Sequence, residues 1–309
     1  MSIGRGSRLA ILSAAVTGSI ARGVIGAQEP LDVARQITHS QNYDPSFSPD
    51  GKRMVFISLV AGREQLFTAD LDGARSIQLT RDDADHEDPV WSPTGQKIAF
   101  VYKKNGREII EVMKSDGSST TDLTLPEIRA IHPNWSPDGA SLAYCTDDDL
   151  HPPRKNAAEI YTIDLATRRV VKLISGGVNT YPAWSPDGRK MAFRRMLGET
   201  NSEVFLADAD GSNQRNITNH PAFDGWPSWS PDGKRIAFAS NRNASTNYQI
   251  FVMKPDGSDV QLVANTEGRA TAPQWTRDGK AIFFPLCRRI DAGFSCEILA
   301  ASVDKPASR

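Results

Sequence analysis

Short apolar segments recur along the chain, and each follows a turn of similar composition. Each segment is three residues long and is built from aliphatic and aromatic side chains, which favours short buried β-strands. The six segments are Met54-Val55-Phe56, Ile98-Ala99-Phe100, Leu142-Ala143-Tyr144, Met191-Ala192-Phe193, Ile236-Ala237-Phe238 and Ile282-Phe283-Phe284. This pattern predicts one structural unit that is repeated six times.

The turn before each apolar segment has the sequence Pro-x-Trp-Ser-Pro-Asp-Gly or a close variant. The first copy, Pro45 to Gly51, has Phe47 in place of Trp, and the last copy, Pro273 to Gly279, is the most altered. The aromatic residues are separated by 44, 44, 49, 45 and 46 residues, a spacing typical of propeller blades. Ser-Pro-Asp-Gly favours a type I turn with a bulge, because Pro fixes φ and Gly accepts the left-handed conformation.

A third and a fourth strand follow in the same unit. In the first unit the third strand is Gln65 to Ala69, a hairpin turn follows at Asp72-Gly73, and the fourth strand ends at Leu79-Thr80. Asp-Gly is a standard pair for a short hairpin turn. Because four strands make one blade, the sequence predicts an all-β fold, a six-bladed β-propeller of four-stranded antiparallel blades.

The sixth unit lacks a fourth strand of its own after Val303. Near the N-terminus, Arg35 to Thr38 repeats the pattern of Arg215 to Thr218, with no other strands of its own blade before it. We expect this N-terminal strand to complete the last blade, since it covers an edge that would promote aggregation. The propeller is thus predicted at residues 35–305, with a tail at 306–309.

Residues 1–27 have the order of a secretory signal peptide, with a basic start, an apolar stretch from Leu9 to Ala21 and small residues up to Ala27. The apolar stretch of about 13 residues is too short to span a bilayer. We therefore expect cleavage after Ala27, a short leader at residues 28–34, a periplasmic location and no transmembrane insertion. A disordered cytoplasmic leader is the alternative, because the apolar stretch is diluted by small polar residues.

The charge balance bears on the class of partner, and the cysteines bear on a disulfide. The chain has 36 Lys and Arg against 37 Asp and Glu, so no field of one sign would attract nucleic acid. Cys287 and Cys296 flank a loop between two predicted neighbouring strands, a placement that allows a disulfide in an oxidising compartment. Free thiols at both positions are the alternative. Cys145 is interpreted as a small buried apolar residue.

The Pro-x-Trp-Ser-Pro-Asp-Gly unit, followed by Lys or Arg and a strand like Ile-Ala-Phe, resembles the propeller repeat of the TolB family over residues 35–303. The resemblance implies a periplasmic six-bladed propeller. It also implies docking of the lipoprotein Pal, of Tol partners or of colicin segments over the channel mouth. TolB proteins carry an α/β domain before the propeller, whereas a signal-like leader and a few residues stand there in this chain. The resemblance therefore implies a stand-alone TolB-like propeller and does not extend to the whole of TolB function.

The loops opposite the tight turns vary in length and composition, and variable loops on a rigid scaffold are common binding sites. We expect the residue before each repeat Pro to line the channel mouth. A basic or amphipathic segment of a protein or peptide partner would fit an acidic arc that faces aromatic anchors. Side chains that merely fill and hydrate the channel are the alternative. The predicted partner-binding residues are Asp44, Asp88, His132, Tyr181, Trp226 and Arg269, with Ala272 as the sixth residue of the ring.

A catalytic role is the alternative function. Four of the five histidines, His39, His86, His132 and His220, fall in loops of this face, and imidazole with carboxylate ligands binds divalent metals. His86, Asp88 and His132 are the alternative metal site, which would fit a metal-dependent polysaccharide lyase or another hydrolase-like propeller enzyme.

Solvated loop histidines are the interpretation we favour, because the histidines stand at different distances from the repeat Pro. The chain has neither a Gly-x-Ser-x-Gly elbow nor a Walker-type phosphate loop. The sequence thus favours a monomeric, non-enzymatic binding scaffold without a cofactor.

Overall fold

The computed structural model describes residues 35–38, 41–125, 127–146, 157–243, 247–290 and 293–303. These residues lie in one unit of the chain, Leu31–Arg309. The predicted signal peptide, the leader at 28–34 and the tail at 306–309 lie outside the described residues. Within them, no helix is long and apolar enough to cross a bilayer.

The described residues form six antiparallel sheets, and each is one blade. Blade 1 contains β2 (Asn42–Phe47), β3 (Arg53–Val60), β4 (Arg63–Asp70) and β5 (Ile77–Gln78). Blade 2 contains β6 (Asp85–Trp91), β7 (Lys97–Lys104), β8 (Arg107–Lys114) and β9 (Thr121–Asp122). Blade 3 contains β10 (Ile131–Trp135), β11 (Ser141–Cys145), β12 (Ile160–Asp164) and β13 (Val170–Ile174).

The second half of the ring repeats this order. Blade 4 contains β14 (Val178–Trp184), β15 (Lys190–Met196), β16 (Ser202–Asp208) and β17 (Arg215–Asn216). Blade 5 contains β18 (Asp224–Trp229), β19 (Ile236–Ser240), β20 (Gln249–Met253) and β21 (Gln261–Ala264). Blade 6 contains β22 (Arg269–Ala270), β23 (Gln274–Trp275), β24 (Ala281–Ile290), β25 (Gly293–Ser302) and, from the N-terminus, β1 (Arg35–Gln36). The predicted six-bladed all-β propeller is confirmed.

The N-terminal strand closes the ring as predicted. Strand β1 pairs antiparallel with β25, with Arg35 opposite Ala300, and the Ile37 N–H donates to the Ile298 carbonyl at 2.8 Å. The turn glycine of the next blade, Gly73, lies against the Ile37 carbonyl, and a Cβ built on Gly73 would be 2.6 Å from that oxygen. Ile37 thus occupies the place that the outer strand has at the other seams.

The Ser-Pro-Asp-Gly turns are held by the side chains that the repeat supplies. In blade 1 the Ser48 hydroxyl donates to Asp50 Oδ1 at 2.6 Å and accepts from the Arg53 N–H at 3.0 Å. The Gly51 N–H donates to the Ser48 carbonyl at 2.9 Å, and Gly51 has a φ of 68°. A side chain would be strained at this φ, which explains the invariant glycine of the repeat.

Three of the five repeat tryptophans donate a hydrogen bond to the preceding blade, whereas Trp184 Nε1 is buried with no hydrogen-bond partner in the described residues. The indole Nε1 of Trp135 donates to the Val90 carbonyl of the preceding blade at 3.1 Å, and Trp229 and Trp275 bond the preceding blade in the same way. Trp91 differs, because its Nε1 bonds the Gly95 carbonyl of its own turn at 3.0 Å. The middle of the second strand of each blade is buried between neighbouring sheets, so the core is a set of packed seams between sheets.

The tight turns between the first and second strands, and between the third and fourth strands, lie on one face of the propeller. The connections between the second and third strands, and the connections between blades, lie on the opposite face, which we call the mouth face. The turns on the first face are therefore nearly the same in every blade, whereas the connections on the mouth face differ from blade to blade.

Candidate functional site

In blades 1 to 5 the innermost strand is bulged at the repeat Pro, and the residue before this Pro lines the channel. The pairing of the first two strands shifts register between Tyr43 and Ser46 in blade 1, and at the same place in blades 2 to 5. In blade 6 the strand is interrupted there, between β22 and β23. The residues before Pro, which we call the rim residues, are Asp44, Asp88, His132, Tyr181, Trp226 and Ala272.

All six rim residues have a left-handed backbone. Their φ values lie between 42° for Ala272 and 54° for Trp226, a conformation that costs about 1 kcal/mol or more for a residue with a Cβ. Bulky side chains such as those of Tyr181 and Trp226 rarely adopt it. The same strained conformation therefore recurs in all six blades at one edge of the channel.

The rim residues line one cavity of about 140 Å³, together with the prolines that follow the first five of them. The structure thus places five of the six predicted partner-binding residues, and Ala272, around a single opening. Arg269 is not among the lining residues. Arg269 is the exposed residue of β22, which belongs to the innermost strand of blade 6, and its guanidinium carbon is 5.1 Å from the centroid of the Tyr248 ring.

Blades 1 and 2 contribute an acidic arc, which consists of Asp44, Glu64, Glu87 and Asp88. Burial, together with the negative charge of Asp88, raises the pKa of the Asp44 carboxyl to about 8. Burial also raises the pKa of Glu64 to about 7, and the Tyr43 hydroxyl donates a hydrogen bond to this carboxylate. The arc therefore carries less negative charge at neutral pH than its composition indicates. A bound cation would favour release of these protons.

His132 stands between the acidic arc and a group of aromatic rings. Its Nε2 lies 3.6 Å from Asp88 Oδ2, and its Nδ1 lies 3.2 Å from the buried Cys145 Sγ. The centroids of the His132 and Tyr181 rings are 3.8 Å apart. The histidine thus links the two sides of the mouth.

Blades 4 and 5 contribute an aromatic arc, which consists of Tyr181, Phe223, Trp226 and Tyr248. The Trp226 ring centroid lies 5.3 Å from that of Tyr181, 5.4 Å from that of Tyr248 and 6.1 Å from that of Phe223. Such distances are typical of favourable aromatic pairs. The rim position predicts Tyr181 and Trp226, but Phe223 and Tyr248 come from loops outside the repeat unit and were missed.

A buried arginine, also missed from the sequence, lies behind the aromatic arc. The Arg194 side chain is on β15 and is 2% exposed. Its guanidinium carbon is 4.7 Å from the Tyr181 ring centroid, 5.4 Å from that of Phe223 and 5.7 Å from that of Trp226. The signal for it was present in the sequence, because Arg194 follows the apolar segment Met191-Ala192-Phe193, where the other units have an apolar residue.

The alternative metal site does not assemble in the structure. His86 is buried against the rings of Phe100 and Tyr102, at centroid distances of 5.5 and 5.8 Å, and its Nε2 faces Asp82 at 3.6 Å. Burial lowers the pKa of His86. His132 faces Asp88 instead, so the three predicted ligands have no common centre. In the part of the chain that the structure describes, no three His, Cys, Asp or Glu side chains are arranged to hold a metal.

The other candidate residues lie away from the cavity. The His220 Nδ1 accepts the Ala222 N–H at 3.1 Å within a loop, and His39 lies outside the described residues. Cys287 and Cys296 face each other across β24 and β25, with 4.1 Å between their Cα atoms, and are joined by a disulfide. This bridge fastens the long hairpin that blade 6 extends from the mouth face.

Three solved structures illustrate what the chain is similar to. A TolB candidate from Agrobacterium tumefaciens superposes with a TM-score of 0.65 at 22% identity, covering 86% of this chain and 96% of that one. TolB from Acinetobacter baumannii gives a TM-score of 0.63 at 21% identity, covering 85% and 64%. An oligogalacturonate lyase from Vibrio parahaemolyticus gives a TM-score of 0.56 at 16% identity, covering 89% and 92%. At these identities the likeness shows a shared fold.

No curated protein matches the chain. The family model of the TolB β-propeller domain matches residues 33–151 and 111–305. These two matches overlap and together span the whole propeller, including the innermost strand of every blade. The chain therefore belongs to the TolB β-propeller domain family.

Proposed function

We propose that this chain is a non-enzymatic periplasmic scaffold that captures a peptide segment or a lipoprotein partner, Pal-like by resemblance, at its channel mouth. The observation that carries the proposal is the ring of six left-handed rim residues. Their backbone strain turns two carboxylates, an imidazole and two large aromatic side chains toward one opening. Backbone strain that is concentrated at one edge of the fold is common at binding sites.

The chemistry of the mouth fits a polypeptide. Tyr181 and Trp226 offer large apolar surfaces, and residues of these types contribute most of the binding energy at many protein interfaces. The acidic arc attracts a basic group. A cavity of about 140 Å³ has room for side chains and not for a folded domain, so a partner would insert a segment and rest its remaining surface on the loops of the mouth face.

The periplasmic location is supported by family membership and by the signal-like order of residues 1–27. The disulfide between Cys287 and Cys296 agrees with it, since such bridges persist in oxidising compartments. The overall charge balance gives no support to a nucleic-acid partner.

The test is a pull-down from envelope extract with the wild type and a Tyr181→Ala, Trp226→Ala double variant, followed by mass spectrometry. The matched control is a Val170→Ala, Val171→Ala double variant, which removes two exposed side chains from the outer strand β13. Circular dichroism first establishes that all three proteins are folded. We expect the control to recover the same partner as the wild type and the rim variant to lose it. Recovery of the same proteins by the rim variant would contradict the proposed site.

A further inference from the structure

Arg194 occupies a position that is apolar in the other five repeats. The residue after the buried three-residue segment is Ile57, Val101, Cys145, Ala239 or Pro285 in the other five blades, and all five are buried. Blade 4 alone among the described blades has a charged residue there. A buried apolar position is a costly place for a guanidinium, so its presence calls for a physical explanation.

The structure makes room for this side chain. Gly225, on the first strand of blade 5, faces Arg194, and a Cβ built on Gly225 would be 2.9 Å from the Arg194 Cδ. Gly225 does not have a left-handed backbone, so the close approach, rather than the backbone conformation, accounts for the glycine. Two neighbouring blades are thus adapted to one arginine.

The guanidinium of Arg194 has stacking partners, but two of its three nitrogens have no hydrogen-bond acceptor among the residues that the structure describes. Its Nε and Nη2 are buried and have no hydrogen-bond partner in the described residues. Asp224 directly precedes Gly225 in blade 5, but its Oδ2 already accepts a hydrogen bond from Arg242 at 2.7 Å. Three aromatic rings compensate part of the desolvation through cation–π contacts. These cation–π contacts do not use the N–H donors of the Arg194 guanidinium.

We propose that Arg194 is an anion anchor that pairs with a carboxylate of the segment captured at the mouth, an inference that rests on the proposed function. The carboxylate would reach the guanidinium beside Tyr181 and Trp226, which line the cavity and stack on Arg194. Since Nε and Nη2 are buried and the rings stack on the guanidinium, we expect binding to move a ring aside. The gain is a charge-assisted, bidentate hydrogen bond in a site of low polarity.

The two sides of the mouth then define the class of ligand. The acidic arc of blades 1 and 2 selects a basic group, and Arg194 behind the aromatic arc selects a carboxylate. A peptide segment with a positive charge near one end and a carboxylate near the other satisfies both. A C-terminal carboxylate and the side chain of Asp or Glu are the two sources of such a group.

Calorimetric titration with short peptides tests this assignment on the full propeller. The probes are Lys followed by one to four Gly with a free carboxylate, the same peptides with an amidated C-terminus, and amidated peptides that end in Asp. The proteins are the wild type, Arg194→Met, Arg194→Lys and the control Arg195→Met. Arg195 is adjacent on β15 and bonds Asn179 and Gln214 instead.

We expect the wild type to bind at least one carboxylate-bearing probe about ten-fold more tightly than the matching peptide with an amidated C-terminus, a difference of about 1.4 kcal/mol. The preference should vanish in Arg194→Met, shrink in Arg194→Lys and persist in Arg195→Met. The free acid and the Asp-terminated amide distinguish the two sources of the carboxylate.

Two results would overturn the assignment while leaving the mouth as the capture site. One is equal binding of acid and amide by the wild type, and the other is an undiminished preference in Arg194→Met. If no peptide of either series binds the wild type at millimolar concentration, both the anion anchor and the capture of short segments at the mouth are wrong.

Discussion

Arg194 is a buried arginine and Arg242, on the neighbouring blade, has a side chain that is 11% exposed, and only the second has a carboxylate partner. Arg242 donates to Asp224 at 2.7 Å and stacks near Phe238 and Phe251, with ring centroids at 5.0 and 5.1 Å. Arg194 has the rings without the carboxylate. Removal of the arginine lowers stability where it breaks a buried ion pair, and it does not where the buried charge is unpaired. Comparison of Arg194 with Arg242 therefore distinguishes a binding role from a structural role.

The first prediction concerns stability. Arg242→Met should lower the free energy of unfolding by about 3–5 kcal/mol, because it leaves the fully buried Asp224 without its partner. Arg194→Met should stay within about 1 kcal/mol of the wild type or exceed it, because it removes an unpaired buried charge and keeps the side-chain volume. Urea unfolding at neutral pH measures both. A loss in Arg194→Met as large as that in Arg242→Met would show that Arg194 is needed for the fold.

The second prediction is a pH dependence that is due to Asp44. Its pKa in the folded protein is about 8, raised from an ordinary value of 3.8 by burial and by Asp88. Below pH 4 the carboxyl is protonated in both states. Between about pH 4 and 8 the unfolded chain ionises it while the folded chain keeps the proton, so the contribution of Asp44 to stability falls as the pH rises.

Asp44→Asn removes this dependence. We expect the variant to be more stable than the wild type at pH 8 and above, and its stability to fall less between pH 4 and 8. Thermal unfolding at a series of pH values measures the difference. Glu64, with a pKa of about 7, adds a slope of the same sign, so the variant retains part of the dependence. Identical pH profiles for the two proteins would contradict the raised pKa of Asp44.

The fold was predictable because the residues of each repeat specify its turns and strands locally. Ser48, Asp50 and Gly51 make a turn that their chemistry alone specifies, and six copies at one spacing leave few topologies. The rim residues were predictable for the same reason, since they precede the repeat Pro. The partners of Trp226 were not, because Phe223 and Tyr248 belong to loops whose path no local rule fixes.

The errors of the sequence interpretation have the same origin. His86 was predicted to be a solvated loop residue, with a metal site as the alternative, but it lies on β6, where the alternation of the strand turns its ring into the blade. Arg194 was not predicted, because it follows the apolar segment that ends at Phe193 and has no counterpart in the other repeats. A deviation from a repeat is as informative as the repeat itself, since the other copies show what the position ordinarily requires.

The third prediction concerns the disulfide between Cys287 and Cys296. It closes a loop with a sequence separation of 9, for which the chain-entropy model gives about 2–3 kcal/mol. A Cys287→Ser, Cys296→Ser variant should lose about that amount in urea unfolding. Addition of dithiothreitol should lower the stability of the wild type and leave the variant unchanged. In the reduced native protein, iodoacetamide should modify these two cysteines and spare the buried Cys145. Modification of Cys145 in the folded state would contradict the packing described for blade 3.

The last prediction tests the seam at which the N-terminal strand closes the ring. Gly73 has a φ of 84° and Gly62 a φ of 82°, so an alanine is strained to the same extent at both. A Cβ on Gly73 would be 2.6 Å from the Ile37 carbonyl oxygen, whereas nothing lies within 4 Å of a Cβ on Gly62. Gly62→Ala should cost about 1 kcal/mol from backbone strain. Gly73→Ala should cost about 1–3 kcal/mol more, because Ile37 must move.

Displacement of Ile37 has a further consequence. Its N–H bonds Ile298, and its side chain is buried with Met54 and Phe283, so a shift loosens blade 6 and blade 1 together. The outer edge of β25 then loses its partner strand, and an unpaired edge promotes aggregation. Light scattering during heating should detect aggregation at a lower temperature for Gly73→Ala than for Gly62→Ala. Equal stability and equal aggregation of the two variants would show that the ring does not close through Ile37.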